Sequence, residues 1–124
     1  MRTGIWTYRD PRFATIDVVG FEVEALDGRV GKVAEASSEV ARSYVVVDTG
    51  PWVFGKRHFL PAGIVNRIDE VHRTVFVNQT REDIENAPEY DPDEGPDEQY
   101  RTELGDYYSV QVRRGLTADG SLLG

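Results

Sequence analysis

Residues 21–36 read FEVEALDGRVGKVAEA, and this stretch decides how the chain folds. Phe21 to Leu26 alternates apolar and polar side chains, which predicts a strand with one buried face. Asp27-Gly28 supplies a tight turn, because glycine tolerates positive φ and aspartate can bond nearby backbone. Arg29 to Ala36 returns as the second strand, and Gly31 within it predicts a bulge or a close approach of another backbone segment.

Further short runs of β-type residues follow this hairpin. Ser43 to Asp48 is rich in β-branched and aromatic residues and predicts a buried central strand. His58 to Pro61 predicts a short strand, and Ile64 to Asp69 with Thr74 to Asn78 predicts a second hairpin. A series of short strands separated by turn residues is typical of a small sandwich or barrel.

The segments on either side of the strands are less regular. In the first residues we expect partial docking of four apolar or aromatic side chains on the core: Ile5, Trp6, Tyr8 and Phe13. Thr80 and Asp83 have the spacing of a capping box, which predicts a short helix that ends before Pro88. Further on, the spacing of Tyr100, Leu104 and Tyr107 fits a helix, whereas residues 109–113 alternate like a strand. The sequence leaves the type of this last element open.

The net charge of −8 is concentrated in one segment. Residues 1–81 carry 11 Lys and Arg against 10 Asp and Glu, whereas residues 82–106 carry 11 acids against a single base, Arg101. An acidic block of this kind repels polyphosphate and argues against nucleic-acid binding through this segment. Glu89 to Glu98 has too little apolar content to fold by itself, so we interpret it as a solubilising tail.

The composition excludes several classes of protein. The chain has no cysteine, so it has no disulfide framework, no thiolate metal site and no cysteine nucleophile. No apolar run approaches the roughly 20 residues that cross a bilayer, and no signal peptide is evident, so we expect a soluble, cytoplasmic protein. His58 and His72 are 14 residues apart and lack the spacing of a metal site. We therefore predict no metal, no cofactor and no catalytic residue.

The order of these motifs resembles the PRC-barrel family. Asp27-Gly28-Arg29-Val30-Gly31-Lys32-Val33 is similar to the DG-x-x-GKV hairpin of that family, and Tyr44 to Val47 follows at the family spacing. Four further pieces are similar to stand-alone bacterial members: GPWVFGKR at 50–57, LPAG at 60–63, RTVFV at 73–77 and APEY at 87–90. The resemblance covers residues 15–92.

The resemblance implies an all-β fold, namely a small PRC-type β-barrel of about six strands with a short C-terminal helix and an acidic tail. The implied organisation is a lead-in segment at 1–14, a PRC-barrel domain at 15–92, and an acidic, partly ordered C-terminal extension at 93–124. Family members dock onto large assemblies; examples are the cytoplasmic part of the photosynthetic reaction-centre H subunit and the C-terminal domain of a ribosome maturation factor. This chain lacks the membrane helix of the first and the additional N-terminal barrel of the second, so neither specific function is carried over.

The loop at residues 50–57 is the candidate interaction site. Aromatic anchors beside basic groups have the composition of interface hot spots, which makes Trp52, Phe54, Lys56 and Arg57 the predicted partner-binding residues. The alternative is that Trp52 or Phe54 folds back and plugs one end of the barrel.

These observations predict a non-catalytic docking module that binds an unknown protein partner, with a homodimer as one form of the assembly. The alternative function is an RNA- or ribosome-associated protein, similar to the maturation factor. That function needs a set of basic residues to converge on one face: Arg29, Lys32, Arg42, Lys56, Arg57, Arg67 and Arg73. A third hypothesis is a small enzyme or ligand carrier that uses the barrel mouth.

Overall fold

The chain forms a six-stranded mixed sheet with two helices. A computed structural model describes residues 4–49, 57–90 and 97–118. The strands are β1 (Glu22–Ala25), β2 (Gly28–Ser37), β3 (Tyr44–Asp48), β4 (Arg57–Pro61), β5 (Val65–Asp69) and β6 (Thr74–Val77). The helices are α1 (Arg81–Glu85) and α2 (Glu98–Ala118), and short 3-10 helices span Pro11–Thr15 and Ala62–Ile64.

The strands are arranged in the order β4-β3-β2-β1-β6-β5. Neighbouring strands are antiparallel except β1 and β6, which are parallel. The two edge strands, β4 and β5, are consecutive in the sequence. A flat sheet of six strands would separate its edges by about 24 Å, whereas the chain from Pro61 to Val65 spans at most about 15 Å. The sheet must therefore be strongly curved.

The prediction of an all-β barrel is wrong. Among the described residues β4 and β5 share no ladder, so the sheet stays open, and α2 adds 21 helical residues. The fold is α+β with a dominant sheet. The lead-in segment instead bonds the corner between the edge strands, where the Gly63 N–H donates to the Ile5 carbonyl at 2.7 Å. It also bonds the residue before β3, since the Ser43 N–H donates to the Trp6 carbonyl at 2.9 Å. Local strand patterns cannot show whether two distant edges meet.

The hairpin of β1 and β2 is confirmed, with the turn displaced by one residue. Leu26 and Asp27 form the turn, and Gly28 opens β2 at a φ of 144°, a conformation that favours glycine. The register shifts within the pair and leaves Val30 as the extra residue of a bulge. The bulge that the sequence predicts near Gly31 is therefore present one position earlier.

The predicted central strand and the second hairpin are also confirmed. β3 lies between β2 and β4, and its residues Val45, Val46 and Val47 are buried on both faces of the strand. β5 and β6 pair as an antiparallel hairpin, and Val75 and Val77 of β6 point into the core.

The capping box at the start of α1 is confirmed. The Thr80 hydroxyl accepts the Asp83 N–H at 3.0 Å, and the Asp83 carboxylate accepts the Thr80 N–H at 3.3 Å. The last element, whose type the sequence leaves open, is the helix α2. Leu104 and Tyr108 are fully buried four residues apart on one face of this helix. Their burial explains why a helix forms although residues 109–113 alternate like a strand.

Phe59 on β4 is the centre of an aromatic cluster that joins the sheet to both ends of the described chain. Its ring stacks on the ring of Tyr44, with 4.1 Å between the centroids. Three more rings lie at centroid distances of 5.2 to 5.9 Å, those of Tyr90, Tyr100 and Trp6. Such pairs contribute about 0.5–1.5 kcal/mol each beyond the burial of their area. The cluster confirms that the lead-in segment docks partly on the core, since Trp6 remains half-buried.

Arg101, the single base of the acidic segment, lies against the same cluster. Its guanidinium is 5.1 to 5.6 Å from three ring centroids, those of Trp6, Tyr44 and Phe59. Only 9% of the residue is exposed, and this burial lowers the pKa of Arg101 from its ordinary value. The neighbouring acids Glu103 and Asp106 stay exposed, so the base faces inward and these two acids face the solvent.

Gly31→Ala should destabilise the fold. A Cβ at this position would overlap the carbonyl oxygen of Asp48, and only movement of the backbone could relieve the overlap. We expect the free energy of unfolding, measured by urea denaturation, to fall by about 2–3 kcal/mol. Gly4→Ala is the control, because nothing lies within 4 Å of its Cβ position. Equal stabilities for the two variants would contradict the close approach of β2 and β3.

Tyr107 and Tyr108 offer a matched pair of hydroxyl deletions on α2. The Tyr107 hydroxyl donates to the Asp83 carbonyl at 2.6 Å, whereas the Tyr108 hydroxyl is buried without a hydrogen-bond partner among the described residues. Tyr107→Phe should lower the free energy of unfolding by about 1 kcal/mol, and Tyr108→Phe should leave it unchanged or raise it. Urea denaturation measures both; a larger loss for Tyr108→Phe would show that its hydroxyl does have a partner.

Candidate functional site

Of the predicted partner-binding loop, residues 50–57, the structure describes only Arg57. Trp52, Phe54 and Lys56 lie outside the described residues, so their role stays a prediction, as does the choice between partner contact and plugging. Arg57 is exposed at the start of β4, and its guanidinium lies 3.4 Å from the Glu35 carboxylate. Thr49 and His58, one at each end of this loop, both line a cleft.

This cleft has a volume of about 590 Å³ and lies between α1, the β1–β2 hairpin and the two ends of the loop. We name it the α1 cleft. It is lined by Arg29 and Val30 of β2, by Thr49 and His58, and by Arg81, Ile84, Glu85 and Asn86 in and after α1. Three segments that are far apart in the sequence therefore contribute to one concave surface.

The parallel pairing of β1 with β6 builds the cleft. Because parallel strands end on the same side of a sheet, the turn after β1 and the helix after β6 lie next to each other. The Leu26 N–H donates to the Gln79 carbonyl at 2.9 Å, and the Arg81 N–H donates to the Asp27 carboxylate at 2.8 Å. These two bonds fix the start of α1 against the hairpin turn.

Two guanidinium groups of the cleft lining, those of Arg29 and Arg81, each lie beside a carboxylate of the hairpin. The Nε atom of Arg29 lies 3.4 Å from the Glu22 carboxylate, and the Nε atom of Arg81 lies 3.9 Å from the Asp27 carboxylate. The Arg81 guanidinium also lies over the hairpin glycine, because a Cβ at Gly28 would be 3.4 Å from its Cζ atom. Both ion pairs are exposed, since about half of each side chain is accessible to solvent.

The two histidines have different surroundings. His58 is 8% exposed in the wall of the α1 cleft. His72 lies in the exposed turn between β5 and β6, with its Nδ1 atom 2.8 Å from the Asp69 carboxylate, and this hydrogen bond lowers the pKa of Asp69. Within residues 4–49, 57–90 and 97–118, no group of three or more His, Cys, Asp or Glu side chains is arranged to hold a metal ion.

Most of the basic residues that RNA binding would need are paired with acids. The ion pairs are Arg29 with Glu22, Arg42 with Glu39 and Glu98, Arg57 with Glu35, and Arg67 with Asp69. Arg73 instead lies over the ring of Phe21, 5.0 Å from its centroid. The positive charges of Arg29, Arg42, Arg57 and Arg67 are therefore offset by acids beside them on the surface.

Comparison with known proteins found no family model and no curated protein that matches the chain. The resemblance to PRC-barrel proteins therefore stays a hypothesis that rests on the motifs alone. In the part of the chain that the structure describes, neither helix is both long enough and apolar enough to cross a membrane.

No pattern in the sequence predicts the α1 cleft. Arg29 belongs to a hairpin and Arg81 to a helix, and nothing in either segment indicates that they meet. The capping box at Thr80 is a usable signal, since it locates the start of α1 and with it Arg81. The contact of α1 with the β1–β2 turn, however, depends on the pairing of β1 with β6.

Asp27→Ala should loosen α1 from the hairpin. The change removes the acceptor of the Arg81 N–H and the carboxylate beside the Arg81 guanidinium. We expect the free energy of unfolding, measured by urea denaturation, to fall by about 1 kcal/mol. Asp27→Asn is the matched control, because its amide oxygen still accepts the N–H, and it should lose less. Unchanged stability of Asp27→Ala would contradict the contact.

Proposed function

We propose that this chain is a non-catalytic, cytoplasmic docking module that binds a protein partner through the loop at residues 50–57. One observation supports the proposal: the loop begins and ends beside the α1 cleft, since Thr49 and His58 both line it. In the sequence, Trp52 and Phe54 stand between these two residues, and aromatic anchors that sit beside pockets are the usual centres of interfaces.

The setting of Arg57 fits this proposal. The residue is exposed, and its pair with Glu35 is also exposed, with 42% and 52% of the two side chains accessible. Exposed ion pairs contribute little to stability, so Arg57 can exchange Glu35 for an acidic group of a partner at small cost. Such an exchange would favour partners that carry negative charge near the aromatic anchors.

A second copy of the chain is one partner that the proposal includes. In a two-fold dimer the same surface of each subunit meets the other, so the loops of both copies would be buried together. The dimer and a different protein partner therefore depend on the same side chains, and one set of variants tests both.

The arrangement of charges weighs against the alternative of RNA association. Affinity for nucleic acid comes largely from lysine and arginine side chains that neutralise phosphates. Four arginines of the candidate set already face acids on the surface. Unchanged mobility of the chain with RNA at low salt would remove this alternative.

The double variant Trp52→Ala/Phe54→Ala tests the docking proposal. Truncation of two hot-spot aromatics typically costs more than 2 kcal/mol, which corresponds to a loss of about 30-fold in affinity. Light scattering measures the mass of the purified protein, and affinity capture from native lysate recovers its partner. We expect the variant to lose the dimer or the partner while its urea unfolding midpoint stays close to that of the wild type.

Val71→Ala is the matched control, because Val71 is an apolar residue 85% exposed in the turn before β6, at the opposite strand ends from the loop. Wild-type binding by the double variant, or equal loss in Val71→Ala, would contradict the proposal. If the double variant fails to fold, Arg57→Glu replaces it, since Arg57 is exposed and the change reverses the charge that a partner would meet.

A further inference from the structure

We propose that two copies of this chain pair through the edge strand β5, in an antiparallel two-fold ladder in which Ile68 faces Ile68 of the second copy. The inference does not use the loop at residues 50–57, so it is independent of the docking proposal. It rests on three features of β5: an open backbone edge, a partly buried apolar side chain at that edge, and charges that become complementary when the strand is paired with itself.

One backbone edge of β5 has no partner in the described part of the chain. β5 is the last strand of the sheet and pairs on one side with β6. Among residues 4–49, 57–90 and 97–118, no backbone hydrogen bond joins residues 65–69 to a segment other than β6. Successive residues of a strand direct their N–H and C=O groups to alternate sides, so some of these groups in β5 point away from β6. Such an edge is a template on which a further strand can add.

Ile68 marks the point where the core reaches this edge. It lies opposite Val75 of β6, which is fully buried, and directly opposite residues share one face of a sheet. Ile68 therefore lies on the core side, but its side chain is only partly buried. A second strand beside β5 would place an apolar side chain against Ile68 and remove more of its surface from water, which favours association.

The register of the ladder follows from symmetry and charge. A two-fold axis makes both copies use the same surface, and paired side chains must share a face, so one residue of the strand has to face its own copy. An axis at Arg67 or at Asp69 would place two like charges opposite each other, which destabilises a ladder. With the axis at Ile68, Arg67 lies opposite Asp69 of the second copy, and this pair occurs twice in the dimer.

Charges on an edge strand normally prevent pairing with other strands, but those of β5 select a second copy of the same strand. Arg67 is exposed, and its ion pair with Asp69 of its own chain is long, at 3.9 Å. The Asp69 carboxylate also lies 2.8 Å from the Nδ1 atom of His72. Since a carboxylate offers about four acceptor sites, Asp69 can keep this contact and still accept the guanidinium of the second copy.

The length of β5 limits the strength of the dimer. The register of β5 against β6 shifts between Val65 and Arg67, which makes Asn66 the extra residue of a bulge, and the strand ends at Asp69. The regular ladder is therefore short and buries less area than a standard interface. We expect a dissociation constant of about 10 μM to 1 mM.

Sedimentation equilibrium of the full-length chain, over a concentration series that brackets this range, tests the proposal. Arg67→Asp places acids opposite acids, and Asp69→Arg places arginines opposite arginines. Each variant alone should weaken the dimer about tenfold or more, because two pairs per dimer change from opposite to like charge. An equimolar mixture of the two variants should dimerise as well as the wild type, since every pair between the two different chains is again of opposite charge.

The matched control is the pair of variants Arg29→Asp and Glu22→Arg, which carry the same charge changes in an exposed ion pair of the β1–β2 hairpin, away from the edge strands. Neither should weaken the dimer, and their mixture should gain nothing. Urea unfolding verifies that each variant is folded. If Asp69→Arg does not fold, Arg67→Asp is mixed with the wild type instead; this mixed dimer keeps one of the two opposite-charge pairs and should have intermediate affinity.

Amide hydrogen exchange locates the interface. Exchange in β5 should slow as the concentration rises, whereas exchange in β4, the other edge strand, should not. A monomer at every concentration, a dimer that Arg67→Asp leaves unchanged, or a mixture of Arg67→Asp and Asp69→Arg no stronger than the control mixture would overturn the proposal.

The two proposals fail separately. Arg67→Asp should lose the dimer and still capture the protein partner, whereas Trp52→Ala/Phe54→Ala should keep the β5 dimer and lose that partner. A dimer that is lost in Trp52→Ala/Phe54→Ala and retained in Arg67→Asp would place the interface at the loop and reject pairing through β5.

Discussion

The parallel pairing of β1 with β6 is the contact on which the rest of the structure depends. β1 to β4 form one antiparallel run, β5 and β6 form a separate hairpin, and the β1–β6 ladder joins the two into one sheet. Val23 and Val75 lie opposite each other in this ladder and are both fully buried. The same ladder sets the direction in which the chain leaves β6, and so it brings α1 to the hairpin turn at Asp27.

An open, curved sheet needs other parts of the chain to cover its core, and here the lead-in segment and α2 do so. Both meet at Phe59, whose aromatic neighbours come from three separate regions of the chain. Arg101 lies against these rings, where its guanidinium loses hydration; contacts with aromatic faces offset part of this cost. The helix α2 can therefore carry acids on its outer face, while Arg101, the single base of residues 82–106, packs against the sheet.

Charge in this protein is organised locally, and the total of −8 conceals that organisation. Several arginines on the strands and loops lie within ion-pair distance of an acid, which leaves little continuous positive surface for a polyanion. In the lining of the α1 cleft, Arg29 and Arg81 likewise lie with their Nε sides toward carboxylates of the hairpin.

The sequence by itself determined the elements whose causes are local. The hairpin at residues 21–36, the buried strand β3 and the capping box of α1 follow from turn residues, apolar spacing and a side-chain cap, all of which act within a few positions of the chain. Only the tertiary structure decided that the sheet stays open, that the last element is a helix, and that Arg29 and Arg81 share a cleft. Each of those outcomes depends on which distant surfaces are buried together, as with Phe59 against α2 and β1 against β6, and the free energy of that burial is not contained in any local pattern.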